Sequence, residues 1–458
     1  MGLAAVILAA GQGTRMKSRY SKVLHAVAGR AMLRYVLEAS AGAGAEKVVV
    51  VAGYDAPAVA ESVAGEAEVV IQQEQMGTAH ALLQAEDVLK SFDGDIMVLP
   101  GDAPLLRSET LRDFYTAHIR EGADATVLTA TFADPAGYGR VIRDTHGKVA
   151  RIVEHRDATA EELLVHEINT GVYCFKPGIF TIIRKISPDN VQREYYLPDA
   201  IRLLREEGSP VAAWEAADPE EFLGVNDRRQ LAAAERVIRR RAVDALMDAG
   251  VTVVDPTVTY VEPGVTVGPD TVIYPFTFLE GKTVIGADAR IGPWARIIDS
   301  RLGDCVVVHS AFVAGSRVAD RAVIGPYTYV RPGTDVGPGA KVGGFVEVKK
   351  SVIGEGSKVP HLSYIGDAEI GCNVNVGAGT ITCNYDGFQK WPTIIEDDAF
   401  IGSNTNLVAP VKIGKGAYVG AGSTITKDVP PGSLGIARGC QKNIPGWTKR
   451  KPESEAKE

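Results

Sequence analysis

The chain has 458 residues, enough for about three domains of ordinary size. Its 57 acidic and 49 basic residues give a net charge of −8, which argues against broad nucleic-acid binding, because such binding needs a basic surface. The five cysteines include no CxxC pair, so the sequence predicts neither a disulfide framework nor a zinc site, and it favours the reducing cytoplasm. No apolar run is long enough to predict a membrane span.

Residues 1–227 alternate short apolar runs with amphipathic stretches. The apolar runs predict strands at Ala5–Ala9, Val48–Val51, Val69–Gln72, Ile96–Leu99, Ala125–Phe132 and Val211–Trp214. The stretches between them predict helices, among them Ala31–Ser40, Thr78–Lys90 and Ser108–Ile119. Because the runs are apolar on both faces and separated by helices, they indicate a Rossmann-like α/β domain with a mostly parallel, doubly covered sheet.

A helical segment and then a six-residue repeat follow this domain. Apolar residues at helical spacing before Gly250 predict a linker helix over 228–250; they are Leu231, Ala234, Ile238, Ala242 and Leu246. Further on, aliphatic residues recur every six positions: Val267, Ile273, Leu279, Ile285, Ile291 and Ile297; Val336, Val342 and Val348; Ile401, Leu407, Ile413, Val419 and Ile425. This hexapeptide repeat predicts a left-handed parallel β-helix over 251–437, which a Gly-rich β-sandwich would not explain. Residues 438–458 form a charged tail, predicted to be disordered at its end.

The repeat is interrupted in two ways. Five-residue steps separate Ile297 from Leu302, Val348 from Ile353 and Ile365 from Ile370. An insertion, "CNYDGFQKWPT", runs from Cys383 to Thr393. Because long loops on rigid scaffolds often carry binding residues, the insertion is a candidate ligand site.

The first predicted strand leads into a glycine turn, "GQGTRM", from Gly11 to Met16. Its backbone N–H groups, with Arg15, Lys17 and Lys22 nearby, indicate a phosphate-binding turn. Met16 stands where a dinucleotide fingerprint has its third glycine, which disfavours a nicotinamide site, and there is no P-loop.

Other polar residues of the same half are candidates for the same site. Asp102 follows an apolar strand in "LPGD", at the carboxyl edge where α/β sheets bind ligands, and a carboxylate there is a natural Mg²⁺ ligand. "QQEQMGTAH" places Gly77 and Thr78 at a predicted helix start. "GYGR", "IVEH", "INTG" and "GVND", which carry Gly139, Glu154, Asn169 and Asn226, are predicted to be loops.

These motifs resemble the sugar-1-phosphate nucleotidyltransferases, whose L-x-x-G-x-G-T-x-[ML] signature matches Leu8 to Met16. Followed by a hexapeptide half, they are similar over nearly the whole chain to the bacterial bifunctional N-acetylglucosamine-1-phosphate uridylyltransferases/glucosamine-1-phosphate N-acetyltransferases. The resemblance implies two reactions: acetyl transfer from acetyl-CoA to glucosamine 1-phosphate, then uridylyl transfer from UTP, releasing pyrophosphate. The product, UDP-N-acetylglucosamine, is a precursor of peptidoglycan and lipopolysaccharide.

The resemblance also implies site residues in the first half. For UTP these are Leu8, Ala9, Ala10 and Gly11 at the base and ribose, Gln72, Gly77 and Thr78 at the base, and Arg15 and Lys22 at the phosphates, with a catalytic role. For the sugar they are Gly139, Glu154, Asn169 and Asn226, and for Mg²⁺ they are Asp102 and Asn226. Pro100 departs from the family pattern and removes one N–H beside the nucleotide.

In the repeat half, His361 suits the general base that takes a proton from the attacking amine. The resemblance gives His361 this role. It implies that Arg331, Lys349, Tyr364 and Asn375 bind the amino sugar phosphate. It implies acetyl-CoA contacts from Ala378, Asn384, Tyr385, Ser403, Ala421 and Arg438. Arg331 and Lys349 precede His361 by distances that are not whole coils, so the three residues need not lie on one face, and a neighbouring subunit is expected to contribute. The family resemblance implies a homotrimer.

Two alternatives remain open from the sequence. One is a nucleotidyltransferase with a single activity, whose β-helix only assembles or regulates it. The other is a non-catalytic interaction protein like the translation exchange-factor subunits that share this two-part layout. His361 with Arg331 and Lys349 disfavours the first, and the intact Gly11 turn with Asp102 disfavours the second.

Overall fold

The computed structural model describes residues 2–450, and side chains as far as residue 448. Met1 and 451–458, the end of the predicted tail, lie outside the described residues. The chain divides into two compact units, Met1–Arg239 and Arg240–Glu458. This division falls inside the segment 228–250; the domain boundaries given above stay predictions.

The first unit is built on one nine-stranded sheet. Its strands, with a separate two-stranded hairpin (β2 and β3), are β1 (Gly2–Ala9), β2 (Ala26–Val27), β3 (Arg30–Ala31), β4 (Lys47–Ala52), β5 (Glu68–Ile71), β6 (Gly94–Pro100), β7 (Ala125–Thr131), β8 (Arg140–Arg143), β9 (Val149–Val153), β10 (Glu167–Phe175) and β11 (Val211–Glu215). The order is β11-β7-β10-β6-β1-β4-β5, with the β8–β9 hairpin attached to β10. Both faces carry buried apolar clusters, as the apolar runs predict.

Helices cover this sheet. They are α1 (Met32–Gly42), α2 (Ala56–Ser62), α3 (Thr78–Leu83), α4 (Glu86–Leu89), α5 (Ser108–Glu121), α6 (Ile179–Ile183) and α7 (Asp199–Glu206). The single helix predicted over Thr78–Lys90 is wrong, because it is divided into α3 and α4. Gln84 N and Ala85 N donate to carbonyls three residues back, at 3.1 and 3.0 Å, which tightens the backbone between the two helices.

The sheet is mostly parallel, as predicted, but β10 runs antiparallel between β6 and β7. The prediction of loops is confirmed for Gly139, which directly precedes β8, for Glu154, which directly follows β9, and for Asn226, but it is wrong for Asn169, which lies in β10. The register of β10 shifts between Asn169 and Tyr173, with Gly171 at a φ of 80°. Polar residues and glycines at this bulge hid the strand from an argument based on apolar runs.

Helix α8 (Arg228–Asp248) confirms the predicted helix and belongs to both units. Asp227 caps its start, because its carboxylate accepts from Arg229 N and Gln230 N at 2.8 and 2.9 Å. Ala234 and Ile238 pack in a cluster of the first unit, and Leu246 packs in the core of the second.

The second unit is a parallel solenoid with three sheets, here called faces 1, 2 and 3. Face 1 contains Thr252–Val253, Val272–Ile273, Arg290–Ile291, Val307–Val308, Val323–Ile324, Lys341–Gly344, Lys358–His361, Asn375–Val376, Phe400–Ile401, Tyr418–Val419 and Leu434–Gly435. Face 2 contains Tyr260–Val261, Phe278–Glu280, Arg296–Ile298, Ala311–Ala314, Thr328–Val330, Glu347–Lys349, Tyr364–Gly366, Ile381–Cys383, Asn406–Val408 and Thr424–Ile425. Face 3 contains Thr266–Val267, Val284–Ile285, Arg301–Leu302, Arg317–Val318, Asp335–Val336, Val352–Ile353, Ala368–Ile370, Thr393–Ile395 and Val411–Ile413.

The aliphatic residues of the six-residue series form the solenoid core, as predicted. Ile273, Ile291 and Val342, for example, have no exposed surface. The five-residue steps also keep their aliphatic residues inside, since Leu302 and Ile370 are 4% and 2% exposed. The stacked aliphatic column inside and the hydrogen bonds between coils are what hold each short strand in place.

Candidate active sites

The first candidate site is a cavity of about 510 Å³ at the carboxyl edge of β1, here called the edge pocket. Predicted residues that line it are Leu8, Ala9, Ala10, Gly11, Lys22, Gln72, Gly77, Thr78, Asp102, Glu154 and Asn169. The parallel strands β1, β4 and β6 end together there, which brings together residues that are far apart in the sequence.

The side chain of Lys22 packs against the backbone of the glycine turn. Gly13 has a φ of 64°, and a Cβ at this position would lie 2.6 Å from the Cβ of Lys22. The side chain of Met16, which is 1% exposed, anchors the turn in the protein interior. A glycine is therefore required at residue 13 so that the lysine chain can pass close to the backbone.

Two predicted residues, Asp102 and Asn226, meet at the Lys22 ammonium. Lys22 donates to Asp102 Oδ2 and, at 3.1 Å, to Asn226 Oδ1. Arg15 donates to the same Asn226 Oδ1 at 2.9 Å. Arg15 and Asn226 do not line the edge pocket directly, but these bonds join them to residues that do.

The donor set of Asp102 and Asn226 fits Mg²⁺. Both side chains offer oxygen atoms, which Mg²⁺ prefers, and both oxygens already share one cationic partner, the Lys22 ammonium. Within the described residues, no group of three or more His, Cys, Asp or Glu side chains could hold a metal ion. Two protein oxygens are what a Mg²⁺ site needs when substrate phosphates supply the remaining ligands.

The far wall of the edge pocket is built around Gly77, which precedes α3. Gln72 is 3% exposed, and its Nε2 donates to Gly77 O at 3.1 Å. Thr78 Oγ1 accepts from Leu197 N at 2.9 Å. The second N–H of Gln72 Nε2 faces His80 Nδ1 at 2.9 Å, so the amide is fixed in place with its carbonyl oxygen available to a planar ligand.

Glu154 and Asn169 stand beside Gly139 on the β8–β9–β10 side. A Cβ on Gly139 would lie 3.2 Å from Glu154 Oε1, so the glycine leaves room for that carboxyl group. Asn169 Nδ2 donates to Tyr173 Oη at 2.7 Å. Burial, and then the carboxylates of Asp157, Asp199 and Glu194, raises the pKa of Glu154. This side can hydrogen-bond the hydroxyl groups of a sugar.

In the second unit, four predicted residues stack on one corner of the solenoid, between faces 1 and 2. The carbonyls of His361, Ala378 and Ser403 accept from Gly379 N, Asn404 N and Gly422 N at 3.4, 2.7 and 2.8 Å. The next member is Ala421, whose carbonyl accepts from Arg438 Nη1 at 2.9 Å. The structure thus brings the predicted base and four predicted acetyl-CoA residues, His361 with Ala378, Ser403, Ala421 and Arg438, onto one line.

The predicted cations lie on face 2 and just beyond it. Lys349 ends the strand Glu347–Lys349, and Arg331 directly follows the strand Thr328–Val330, which pairs with it. Lys349 Nζ is 3.7 Å from Asp367 Oδ2, which also accepts from Asn384 Nδ2. Arg331 donates to Glu347 at 2.9 Å, and this bond raises the pKa of the guanidinium.

Tyr364 and Asn384 converge over a glycine of face 2. A Cβ on Gly366 would lie 2.5 Å from Tyr364 Oη and 2.7 Å from Asn384 Nδ2. Asn384 is 7% exposed, whereas Tyr385, the next residue of the insertion, is 60% exposed. Asn375 lies on face 1, so it does not share a surface with Tyr364 in one chain.

The insertion brings a further cation that the sequence analysis missed. The contact with the amine of Lys349 lowers the pKa of Lys390, and the charge of Asp367 opposes this shift. The turn before it is held by Asp386, which accepts from Phe388 N, Gln389 N and Trp391 Nε1 at 2.8, 2.8 and 2.7 Å. These bonds lower the pKa of Asp386 to about 2, and the bond from Gln389 N has the largest effect. Lys390 is therefore close enough to Lys349 for the two charges to interact, with the Asp367 carboxylate 3.7 Å from Lys349 Nζ.

The edge pocket also has polar lining residues that sequence reasoning missed, namely Gln75, Tyr173 and Glu194. Gln75 lies in the quoted motif "QQEQMGTAH", so that motif could have indicated it. Tyr173 and Glu194 come from β10 and from the loop before α7, where no motif marked them.

Comparison with known proteins agrees with this two-part organisation. A family model described as nucleotidyl transferase matches residues 4–218, and one described as bacterial transferase hexapeptide matches residues 392–427. The predicted fold class, a Rossmann-like α/β domain followed by a left-handed parallel β-helix, is confirmed. Among the described residues, none of the helices combines the length and apolar character needed to span a bilayer.

Full-length relatives are proteins named "Bifunctional protein GlmU". The one from Carboxydothermus hydrogenoformans is 52% identical, with 97% of this chain and 99% of that protein covered. The one from Pelotomaculum thermopropionicum is 56% identical, with 99% and 100% covered. These matches argue against the alternatives of a purely structural β-helix and of a non-catalytic protein. The chain therefore belongs to the GlmU family of bifunctional proteins, and it is an enzyme with a uridylyltransferase and an acetyltransferase activity.

Proposed function

We propose that the edge pocket is the uridylyltransferase site, where UTP and N-acetylglucosamine 1-phosphate react to UDP-N-acetylglucosamine and pyrophosphate. Leu8 to Gly11, Gln72, Gly77 and Thr78 bind the uridine. Arg15 and Lys22 bind the phosphates. Gly139, Glu154, Asn169 and Asn226 bind the sugar phosphate. The observation that carries this proposal is that residues from all these groups line one cavity or hydrogen-bond to its lining.

The uridylyl transfer needs no general base. A phosphate oxygen of the sugar phosphate forms a bond to the α-phosphorus of UTP, and the bond from that phosphorus to the bridging oxygen of pyrophosphate breaks. The nucleophile is already an anion, so the residues have to bring two anions together and neutralise the charge on the leaving group. Arg15 and Lys22 supply two of the positive charges.

Asp102 and Asn226 would hold Mg²⁺ at this site, with the phosphates completing its ligands. When bound, the ion neutralises negative charge on the phosphates in the transition state. The support is the pair of oxygen atoms that share the Lys22 ammonium. Asn226 is held at this position by the capped start of α8, because its N–H donates to Gln230 Oε1 at 2.7 Å.

The corner of His361 is the acetyltransferase site. His361 takes a proton from the amine of glucosamine 1-phosphate while the nitrogen attacks the acetyl carbonyl of acetyl-CoA, and the C–S bond breaks to release CoA. Arg331, Lys349 and Tyr364, with Lys390 as a further cation, bind the sugar phosphate. Ala378, Asn384, Tyr385, Ser403, Ala421 and Arg438 contact acetyl-CoA.

The acetyltransferase site is completed in a homotrimer. Asn375 lies on face 1, whereas Tyr364 lies on face 2. One substrate molecule can contact both residues when face 1 of one chain lies against face 2 of a neighbouring chain. The solenoid also carries exposed apolar residues along the corner of His361: Phe276, Trp294, Tyr327, Phe345 and Leu362, here called the apolar corner. Exposed apolar surface of this kind favours contact with another copy of the chain.

The enzyme acts in the cytoplasm. In support, its cysteines are free rather than paired in disulfides, as the reducing cytoplasm would keep them.

Two assays on the full chain test the proposed sites. One follows CoA thiol released from acetyl-CoA and glucosamine 1-phosphate, and the other follows pyrophosphate released from UTP and N-acetylglucosamine 1-phosphate. His361→Ala should abolish the first activity and spare the second, whereas Asp102→Ala should do the reverse. His309→Ala is the matched control, because His309 is also exposed on a face 1–face 2 turn. Loss of both activities in a folded variant would contradict the separation of the two sites.

A further inference from the structure

Both oxygens that would hold Mg²⁺ already accept hydrogen bonds from the protein's own cations. The Lys22 ammonium contacts Asp102 Oδ2 and lies 3.1 Å from Asn226 Oδ1. Arg15 donates to the same Asn226 oxygen at 2.9 Å. The ion pair is partly buried, since the side chains of Lys22 and Asp102 are 15% and 20% exposed. Solvent therefore screens it less than a surface pair.

Lys22 and a divalent cation cannot share these oxygens. Mg²⁺ binds oxygen at about 2.1 Å, so an ion held by Asp102 and Asn226 would lie within a few ångströms of the ammonium in its present position. Two positive charges at that separation repel strongly in a partly buried site. The ammonium must move away before the oxygens can bind a metal ion.

Lys22 has the freedom to make this move. Its Cβ is fixed against Gly13, where a Cβ would come within 2.6 Å. The ammonium, however, is at the end of a four-carbon chain, which can swing toward the triphosphate that the glycine turn holds. A phosphate offers it a negative partner in exchange for the carboxylate.

We propose that Lys22 is an internal counter-ion that keeps Asp102 and Asn226 from binding Mg²⁺ until a nucleotide triphosphate draws its ammonium away. The inference rests on the proposed metal-binding role of Asp102 and Asn226. Its consequence is that the metal ion and UTP bind with positive coupling, in which each raises the affinity for the other. Lys22 acts here as a positioning residue as well as a phosphate ligand.

Mn²⁺ binding to the full chain without nucleotide tests the proposal directly. The probe is Mn²⁺ alone, and the readout is the electron paramagnetic resonance signal of the free ion. Lys22→Met should bind Mn²⁺ at least about tenfold more tightly than the wild type, because the competing charge is gone. Adding Asp102→Asn to this variant should abolish the gain. Lys17→Met is the matched control, because it removes an exposed lysine of the same turn, and it should bind Mn²⁺ as the wild type does.

A second measurement adds UTP without any sugar phosphate, so that no reaction occurs. UTP should raise Mn²⁺ affinity more in the wild type than in Lys22→Met, and Asp102→Asn should remove this protein-bound Mn²⁺. If Lys22→Met binds Mn²⁺ no more tightly than Lys17→Met, although Asp102-dependent binding develops with UTP, the counter-ion proposal is overturned and the metal site stands. If binding with UTP does not depend on Asp102, the metal site itself is wrong, and the counter-ion proposal fails with it.

Discussion

The backbone of Tyr195 passes so close to Gly77 that no side chain fits between them. A Cβ on Gly77 would lie 2.5 Å from Tyr195 O and 2.7 Å from Tyr195 N. Tyr195 N donates to Met76 O at 2.8 Å, and Tyr195 O accepts from Ala79 N at 2.9 Å. The start of α3 and the loop before α7 are thus held together as one wall of the edge pocket.

Gly77→Ala should therefore damage both stability and nucleotide binding. The φ and ψ of 112° and 176° are a conformation that is essentially restricted to glycine, and it costs a residue with a Cβ about 1–3 kcal/mol before any clash. We expect the free energy of unfolding to fall by at least about 2 kcal/mol and the UTP affinity to fall, because Gln72 is bonded to Gly77 O. Denaturant unfolding and UTP titration measure the two effects.

Gly65→Ala is the matched control for this change. Gly65 also has a positive φ, of 80°, but no atom lies within 4 Å of a Cβ built on it. It should lose only about 1 kcal/mol of stability and leave UTP binding unchanged. Equal effects of the two substitutions would show that the contact with Tyr195 does not matter.

The sequence predicts the solenoid core almost completely but only part of its active surface. The aliphatic positions follow from period alone, because each must point inward to be buried. The face on which a given residue lies is harder to predict, because every five-residue step changes which residues become neighbours in adjacent coils. Val308, Val313 and Val318 also step by five and are buried, although these steps were not recognised. Lys390 lies within the insertion, where the period gives no register at all.

In the α/β unit, the apolar strands were predicted, whereas β8, β9 and β10, which contain or adjoin the residues proposed to bind the sugar, were not. The bulge of β10 directs Asn169 toward the edge pocket, and Gly171 N donates to Asn169 Oδ1 at 3.2 Å within it. Polar residues and a glycine in a strand are an expected result of building a binding site there, and they weaken the apolar pattern that predicts strands.

Lys390→Gln should weaken binding of glucosamine 1-phosphate. Lys390 is close enough to Lys349 for the two charges to interact, so a phosphate bound by both would gain two charge-assisted hydrogen bonds. We expect the KM for glucosamine 1-phosphate to rise about tenfold, with a smaller change in kcat. Lys349 lowers the pKa of Lys390, so the positive charge of Lys390 is lost as the pH rises, and the wild-type KM should rise in alkaline buffer. Lys282→Gln, an exposed lysine several coils away, is the control and should leave KM unchanged.

Glu154→Gln should stabilise the fold and weaken sugar binding. Burial raises the pKa of Glu154 in the folded state above its unfolded value. When both states are protonated the group has no effect on stability, and when both are ionised the buried charge destabilises the fold. The gain in unfolding free energy should therefore be larger at pH 8 than at pH 5.

Denaturant midpoints at the two pH values measure this difference for Glu154→Gln and for the wild type. Glu61→Gln, on the exposed side of α2, provides the baseline for removing a carboxylate from the surface. A gain that is the same at both pH values, or larger at pH 5, would mean that burial of the Glu154 charge does not limit stability.

The apolar corner should hold the trimer together. Its rings stack along the solenoid, with centroids 4.3 Å apart for Phe276 and Trp294 and 5.2 Å apart for Tyr327 and Phe345. Phe345 is 63% exposed, so the aspartate of Phe345→Asp meets no packing problem within one chain. At a φ of 58°, aspartate is also tolerated better than most residues. The variant should therefore fold, losing the stack on Tyr327 within the chain and the contacts between chains.

Light scattering after gel filtration should show a trimer for the wild type and a monomer for Phe345→Asp. Acetyl transfer should fall about 100-fold or more, because the monomer separates Asn375 from the Tyr364 of its neighbour, whereas pyrophosphate release should stay near the wild-type rate. Leu164→Asp is the control, since Leu164 is 75% exposed and lies in the first unit, and it should leave the trimer and both activities intact. A monomer that keeps full acetyl transfer would mean that one chain forms the whole site, and Asn375 would then have no part in it.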